Sequence, residues 1–246
     1  MKNYFYIKNK ELFDAMKNDI DELEAIKTDI VTTINLTNKD WKFKFQYDKE
    51  TNTIHQCVNG RVYKISVDYI GPSDYNAKQK GIDDLTIFDF WYNTRSIGGH
   101  LIFPTNRYKV NEQSKSINEI RSYRFKERID YFLYELASWY KGENKVQASK
   151  NVLEGNRDWL LQFGDFSGYI KFFKLEDFVS EKNEVFDLSS FNDNTYEVIT
   201  CHPNLDNTKA YYEALFAAYT NNYGDYIKGC VNAIKKRTER MGKQIL

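Results

Sequence analysis

Leu12, Phe13, Met16, Ile20, Leu23, Ile26, Ile30 and Ile34 recur mostly at three- and four-residue steps, a spacing that gathers side chains onto one stripe of a helix. The pattern predicts one long amphipathic helix over residues 10–34. Its outer face sets Glu11, Asp14, Asp19, Asp21, Glu22 and Glu24 against Lys17; such an acidic face is either solvated or docks onto a basic surface. The period then shortens. Trp41, Phe43, Phe45 and Tyr47 alternate with Lys42, Lys44 and Gln46, the two-residue repeat of a strand with one buried side. Asn59-Gly60 separates two strand-like runs, 53–58 and 61–70, and this dipeptide accepts the positive φ angles of a type I′ turn. Together they predict a three-stranded antiparallel meander ending near Gly71-Pro72.

Beyond a loop-like stretch, the apolar and aromatic run from Leu85 to Tyr92 reads as a short buried helix. Gly98-Gly99 precede the apolar run Leu101-Ile102-Phe103, predicting a close backbone approach that feeds a buried strand, closed by Pro104. Ser116 and Glu119 have capping-box spacing. From there Ile117, Ile120, Ile129, Phe132, Leu133, Leu136 and Trp139 mark the inner side of one helix ending at Gly142. Residues 156–163 read as helix with Asn156 as N-cap, Gly164 as breaker, 169–173 as strand and 175–179 as a helical turn. Polar loops with one short strand near 196–200 follow. Tyr212, Leu215, Phe216 and Tyr219, then Tyr226, Ile227, Cys230, Val231 and Ile234, return to helix, with Gly224 as a break. The fold class is α+β: an antiparallel sheet near 41–70 packed against several amphipathic helices. Without repeats or a Gly-, Ser- or Pro-rich linker, residues 1–246 read as a single domain.

Composition sharpens this. A chain of 246 residues can bury roughly three-quarters of its unfolded surface, and 19 Tyr, 17 Phe and 4 Trp make that core aromatic. Thirty-five basic and thirty-five acidic side chains cancel, so nucleic-acid or partner binding must come from local patches. Cys57, Cys201 and Cys230, odd in number and without CxxC spacing, argue against a disulfide framework and a structural zinc site, and for free thiols in a reducing cytoplasm. Neither a signal-peptide core nor a membrane-length apolar run is present. The expectation is a cytoplasmic protein with no membrane association, cofactor or metal, with a homo-oligomer as an open alternative.

Three histidines, His55, His100 and His202, are the candidates for proton transfer. Cys201 and His202 are neighbours, which strand geometry turns to opposite faces, whereas His100 sits at the mouth of a strand, as a candidate acid–base group or a core histidine bonded to a carbonyl. No P-loop, G-x-G-x-x-G or H-E-x-x-H occurs. Asp130 with Glu143 and Lys145 gives only a weak nuclease-like constellation. The coherent feature is cationic: Arg95, Arg107, Arg121, Arg124 and Arg128, joined by Lys109, Lys115 and Lys126. Arg121, Arg124 and Arg128, three and four apart on one helix, would stack on one face able to grip phosphates or carboxylates, or would pair internally with Glu127, Asp130 or the acidic first helix. Lys235, Lys236, Arg237, Arg240 and Lys243 form a second cluster near the C-terminus, where cations also compensate a helix dipole.

The runs Ile97-Gly98-Gly99-His100-Leu101-Ile102-Phe103-Pro104-Thr105-Asn106-Arg107, Ser116-Ile117-Asn118, and Asp165-Phe166-Ser167-Gly168-Tyr169 continuing to Asp177 resemble, in order and spacing, an uncharacterised family of bacterial proteins over about residues 88–180. The resemblance implies no activity; the Asn-, Lys- and Tyr-rich composition suggests an accessory role in phage–bacterium conflict. Three functions follow as expectations. The first is a protein that engages nucleic acid or a protein partner through its basic helix faces. The second is an enzyme on a phosphorylated or nucleotide substrate, with Arg95, Arg107 and Arg121 holding phosphate and His100, Asp165 or Asp177 moving protons. The third is a structural subunit.

Overall fold

A computed structural model describes residues 23–71, 81–110, 113–125, 127–143, 147–200 and 223–243. The acidic half of the first predicted helix, the Tyr212–Tyr219 stripe and the Cys201-His202 pair lie outside the described residues. Helix α1 (Leu23–Thr37) buries Ile30, Val31 and Ile34. The first strand starts later than its alternation suggests: β1 is Phe45–Asp48. Residues 38–44 fold into a turn instead, closed by Trp41 N–H on the Asn38 carbonyl (3.0 Å) and by the Lys44 ammonium on the Asn38 and Lys39 carbonyls (2.6 Å each). Trp41 and Phe43 still pack against the core.

The meander is as predicted. Strands β2 (Thr53–Val58) and β3 (Arg61–Tyr69) pair antiparallel across Asn59 (φ 50°) and Gly60 (φ 78°). Helix α2 (Asp84–Thr94) is capped by Asp83, and after a 3₁₀ turn (Ile97–Gly99) strand β4 (His100–Pro104) adds to β3 as the fourth and edge strand, an edge that tolerates Pro104. The close approach foreseen for the glycines is real. A Cβ on Gly98 would lie 2.6 Å from the Thr238 backbone nitrogen, and one on Gly99 would collide with the Thr94 carbonyl.

A small ribbon, β5 (Tyr108–Val110) and β6 (Gln113–Lys115), leads to α3 (Ile117–Arg124), where Ser116 and Glu119 make both bonds of the capping box. The single helix expected from 117 to Gly142 is in fact two: α4 spans Ile129–Tyr140. Between them Glu127 adopts φ 65° and Arg128 becomes the N-cap of α4. No Gly or Pro marks this break. It is fixed from outside, by the Tyr226 hydroxyl, which donates to the Glu127 carbonyl and accepts from Ile129 N–H, both at 3.0 Å.

Helices α5 (Gln147–Gly155) and α6 (Arg157–Leu161) follow. Asn156 occupies the N-cap position of α6, but its amide donates back to Val152. Residues 169–173, expected as strand, belong to helix α7 (Phe166–Phe173). Asp165 caps Gly168 N–H at 2.8 Å, and Phe166, Tyr169, Ile170 and Phe173 then fall on one buried helical face, so packing overrides β propensity. The aromatic core centres here: Phe163 lies 4.9–5.4 Å, ring to ring, from Trp159, Tyr169, Phe172 and Phe173. Buried Gln56 of β2 ties the sheet to it, accepting from Trp159 Nε1 at 2.7 Å and donating to the Phe43 carbonyl at 2.9 Å.

Strand β7 (Phe186–Asn192), hidden from the sequence pattern in a polar stretch, pairs with β8 (Thr195–Val198), near the strand expected at 196–200. Helix α8 (Tyr223–Lys243) then runs through the molecule, burying Tyr226, Ile227, Cys230 and Ile234; Gly224 sits in its first turn. Gly229 lets the Leu188 carbonyl approach where a Cβ would collide with it. Among the described residues no helix is long and apolar enough to cross a membrane.

Candidate anion-binding pocket

Four segments enclose a pocket of about 200 Å³: the end of β3 and the turn after it (Asp68, Tyr69, Gly71), the second half of α2 with its C-cap (Phe90, Trp91, Thr94, Arg95), Arg121 and Ser122 of α3, and Glu127 at the helix break. Each cation is held in place by contacts that include a residue of β3. Arg95 follows Trp91 by one helical turn, so its guanidinium carbon rests 4.5 Å from the Trp91 ring; across the pocket it lies 4.2 Å from the Tyr69 ring, while Nη1 donates to Thr94 Oγ1 at 3.0 Å. Cation–π contacts on both sides fix its direction. Arg121 is 2% exposed and its Nη2 meets Asp68 Oδ2 at 2.6 Å. Its Nε and Nη1 are buried and find no partner among the described residues. That is costly, because a buried donor left unbonded forfeits its hydration.

His100 borders this region through Tyr69, its cross-strand partner, with ring centroids 4.9 Å apart. Its Nδ1 lies 2.7 Å from the Ser96 carbonyl, which can only accept, so the proton sits on Nδ1 and Nε2 is left as an acceptor. Burial pulls its pKa down to about 4, and the ring is neutral at pH 7. Nε2 has no partner among the described residues. Glu127 adds backbone strain, since a non-glycine residue at φ 65° is uncommon and concentrates at functional positions; its carboxylate accepts from Ser122 Oγ at 3.2 Å.

The other cationic residues go elsewhere. The helix break removes Arg128 from the face that carries Arg121; it is 1% exposed, bonded to Asp130 (2.6 Å) and Asp187 (2.9 Å), with its guanidinium carbon 4.3 and 4.4 Å from the Tyr131 and Tyr226 rings. The Arg124 side chain lies outside the described residues, as does Lys126. Exposed Arg107 pairs with Glu119 at 3.0 Å. In the C-terminal cluster, Lys235 pairs with Asp89 at 3.2 Å and Arg240 with Asp177 at 2.8 Å, Lys236 is exposed, and Arg237 is buried. Arg237 donates to the carbonyls of Gly98, His100 and Phe173 at 2.7–3.0 Å.

Of the residues assigned to a phosphate-handling enzyme, then, Arg95 and Arg121 converge and His100 lies beside them. Asp165 is a helix cap, and Asp177 and Arg107 are engaged in their own ion pairs. His55 bonds to Thr53, and Asp130 serves Arg128. Among the described residues no group of three or more His, Cys, Asp or Glu is placed to hold a metal ion. The sequence reading missed Asp68, Tyr69, Trp91, Thr94 and Glu127. Trp91 four residues before Arg95 carried a legible helical-face signal; Asp68 and Glu127 carried none.

The model of a family described as "Family of unknown function (DUF6994)" matches residues 11–241. This reaches well beyond the 88–180 stretch that carries the motifs. No curated protein and no solved structure matches the chain.

Proposed function

The chain belongs to DUF6994, a family of unknown function, and from its own geometry we propose that it binds a small ligand carrying an oxyanion in the pocket between β3, α2 and α3. One observation carries this reading: Arg121, almost wholly buried in the pocket wall, keeps two N–H groups without partners among the described residues. An oxyanion supplies the missing acceptors through charge-assisted bonds. Arg95, clamped between Trp91 and Tyr69, presents a second cation whose orientation costs nothing further on binding. The engagement of nucleic acid or a protein through basic helix faces draws less support, because Arg128 and Arg237 are buried and Arg107, Lys235 and Arg240 are already paired.

Calorimetric titration with small carboxylates, amino acids included, and small phosphates tests the proposal, with melting temperature as a second readout. A ligand at one hundred times its Kd should stabilise the fold by about 2.7 kcal/mol, and Arg121→Met should remove both heat and stabilisation. Steeply salt-dependent binding to DNA or RNA, indifferent to Arg121→Met, would instead favour the basic faces.

A further inference from the structure

We propose that Tyr226 of α8, which does not line the pocket, is a positioning residue for it: its hydroxyl holds the strained turn that places Glu127 in the pocket wall and braces the backbone of Arg121. The inference rests on the anion-pocket reading and concerns what keeps that site formed. A non-glycine residue at positive φ brings its Cβ too close to a carbonyl oxygen, so Glu127 at φ 65° needs bonds that outweigh the strain. Two run within the turn, from Glu127 N–H to the Arg121 carbonyl at 3.3 Å and from Arg128 N–H to the Phe125 carbonyl at 2.8 Å. The other two meet at one atom. Tyr226 Oη donates to the Glu127 carbonyl and accepts from Ile129 N–H, both at 3.0 Å.

Tyr226 is fully buried, so the position of this oxygen is set by the packing of α8 and not by the turn it serves. Removing it takes one partner from each of two backbone groups, while the ring and its contact with the Arg128 guanidinium, 4.4 Å away, stay in place. The bond from Glu127 N–H to the Arg121 carbonyl ties the turn to the pocket's buried cation. A turn that relaxes releases that carbonyl and withdraws Glu127 from the lining.

Calorimetric titration of the full chain with inorganic phosphate and with acetate compares wild type, Tyr226→Phe and Tyr140→Phe. Tyr140 is the control, because its hydroxyl also donates to a backbone carbonyl, that of Leu160 at 2.7 Å, and it does not line the pocket. If loss of the Tyr226 oxygen leaves about a tenth of the molecules with the wall formed, apparent affinity falls about tenfold, the scale of the hydrogen bonds removed. Tyr140→Phe should bind as wild type even where its melting temperature drops. Glycine takes positive φ without the Cβ clash, so Glu127→Gly should change affinity more in the Tyr226→Phe background, by restoring it, than in wild type. A hydroxyl that merely stabilises the fold would show no such coupling. Tyr226→Phe binding within about twofold of wild type, or an equal effect of Glu127→Gly in both backgrounds, overturns the positioning role while the anion pocket stands. Hydrogen exchange without ligand is the second arm: the Ile129 amide should exchange about tenfold faster or more in Tyr226→Phe, and an unchanged rate overturns the proposal by itself. Wild type binding neither probe overturns the pocket reading, and the role of Tyr226 with it.

Discussion

Arg237 is a buried cation without a carboxylate partner among the described residues, and replacing it by methionine should destabilise the protein more than its position in a charged helix end suggests. The guanidinium is 2% exposed; Nη1 donates to the Gly98 and His100 carbonyls at 2.7 Å each, and Nε and Nη2 donate to the Phe173 carbonyl at 3.0 and 2.9 Å. Phe173 ends α7, where helix carbonyls gather partial negative charge. Burial lowers the pKa of Arg237 to about 10, which still leaves it charged at neutral pH. Arg237→Met keeps most of the apolar stem and strips three carbonyl oxygens of their donor. Each stranded acceptor costs about 1–3 kcal/mol, and relief from burying a cation offsets part of that, leaving a net loss of about 2–5 kcal/mol. For a chain of this size each kcal/mol moves the melting temperature by about 2–4 °C, so the shift should be roughly 4–20 °C. Scanning calorimetry of Arg237→Met beside Lys236→Met, its exposed neighbour, measures it. A melting temperature for Arg237→Met within about 2 °C of the Lys236→Met control would refute the clasp.

Three further outcomes follow from the same contacts. Arg128→Met leaves Asp130, 1% exposed, as an uncompensated buried carboxylate and should cost about 3–5 kcal/mol in urea denaturation, with part regained when Asp130→Asn is added; no recovery in the double variant would show the two residues act separately. His100 takes up a proton only near pH 4 in the fold but near pH 6.5 when unfolded. The unfolded chain therefore binds more protons between those values, and stability falls as pH drops from 6.5 to 4, by up to about 3 kcal/mol from this group alone. His100→Gln should flatten that part of the stability–pH curve, and an unchanged slope would contradict the assignment. Gly98→Ala places a methyl group 2.6 Å from the Thr238 nitrogen and should cost about 1–3 kcal/mol by overpacking; wild-type stability would mean that α8 moves aside freely.

What the sequence disclosed of the fold depended on whether the cause of each element was local. The Asn59-Gly60 turn, the Ser116–Glu119 capping box and the close approach at Gly98-Gly99 are written in adjacent residues, and each formed as the pattern predicts. The break between α3 and α4 is not. It depends on a hydroxyl from Tyr226, 97 residues from the amide it accepts from, and no local breaker announces it. Likewise 169–173 carries residues that suit strand or helix, and the choice is made by the Asp165 cap and the ring cluster around Phe163.

The candidate site follows the same division. Arg121 and Arg128 look alike in the sequence, yet the unannounced break sends one into the wall of a pocket and the other into a core ion-pair network with Asp130 and Asp187. Charge spacing along a predicted helix locates cations only as well as the helix boundaries are known. Arg95 illustrates the converse, because its anchor Trp91 lies one turn away on the same helix and only the second ring, Tyr69, comes from a distant strand. A pocket assembled from a strand end, two helices and a strained turn leaves no contiguous motif. Its chemistry lies in the partners of each buried donor, and Arg121, which lines the pocket, keeps two buried donor nitrogens with no partner among the described residues.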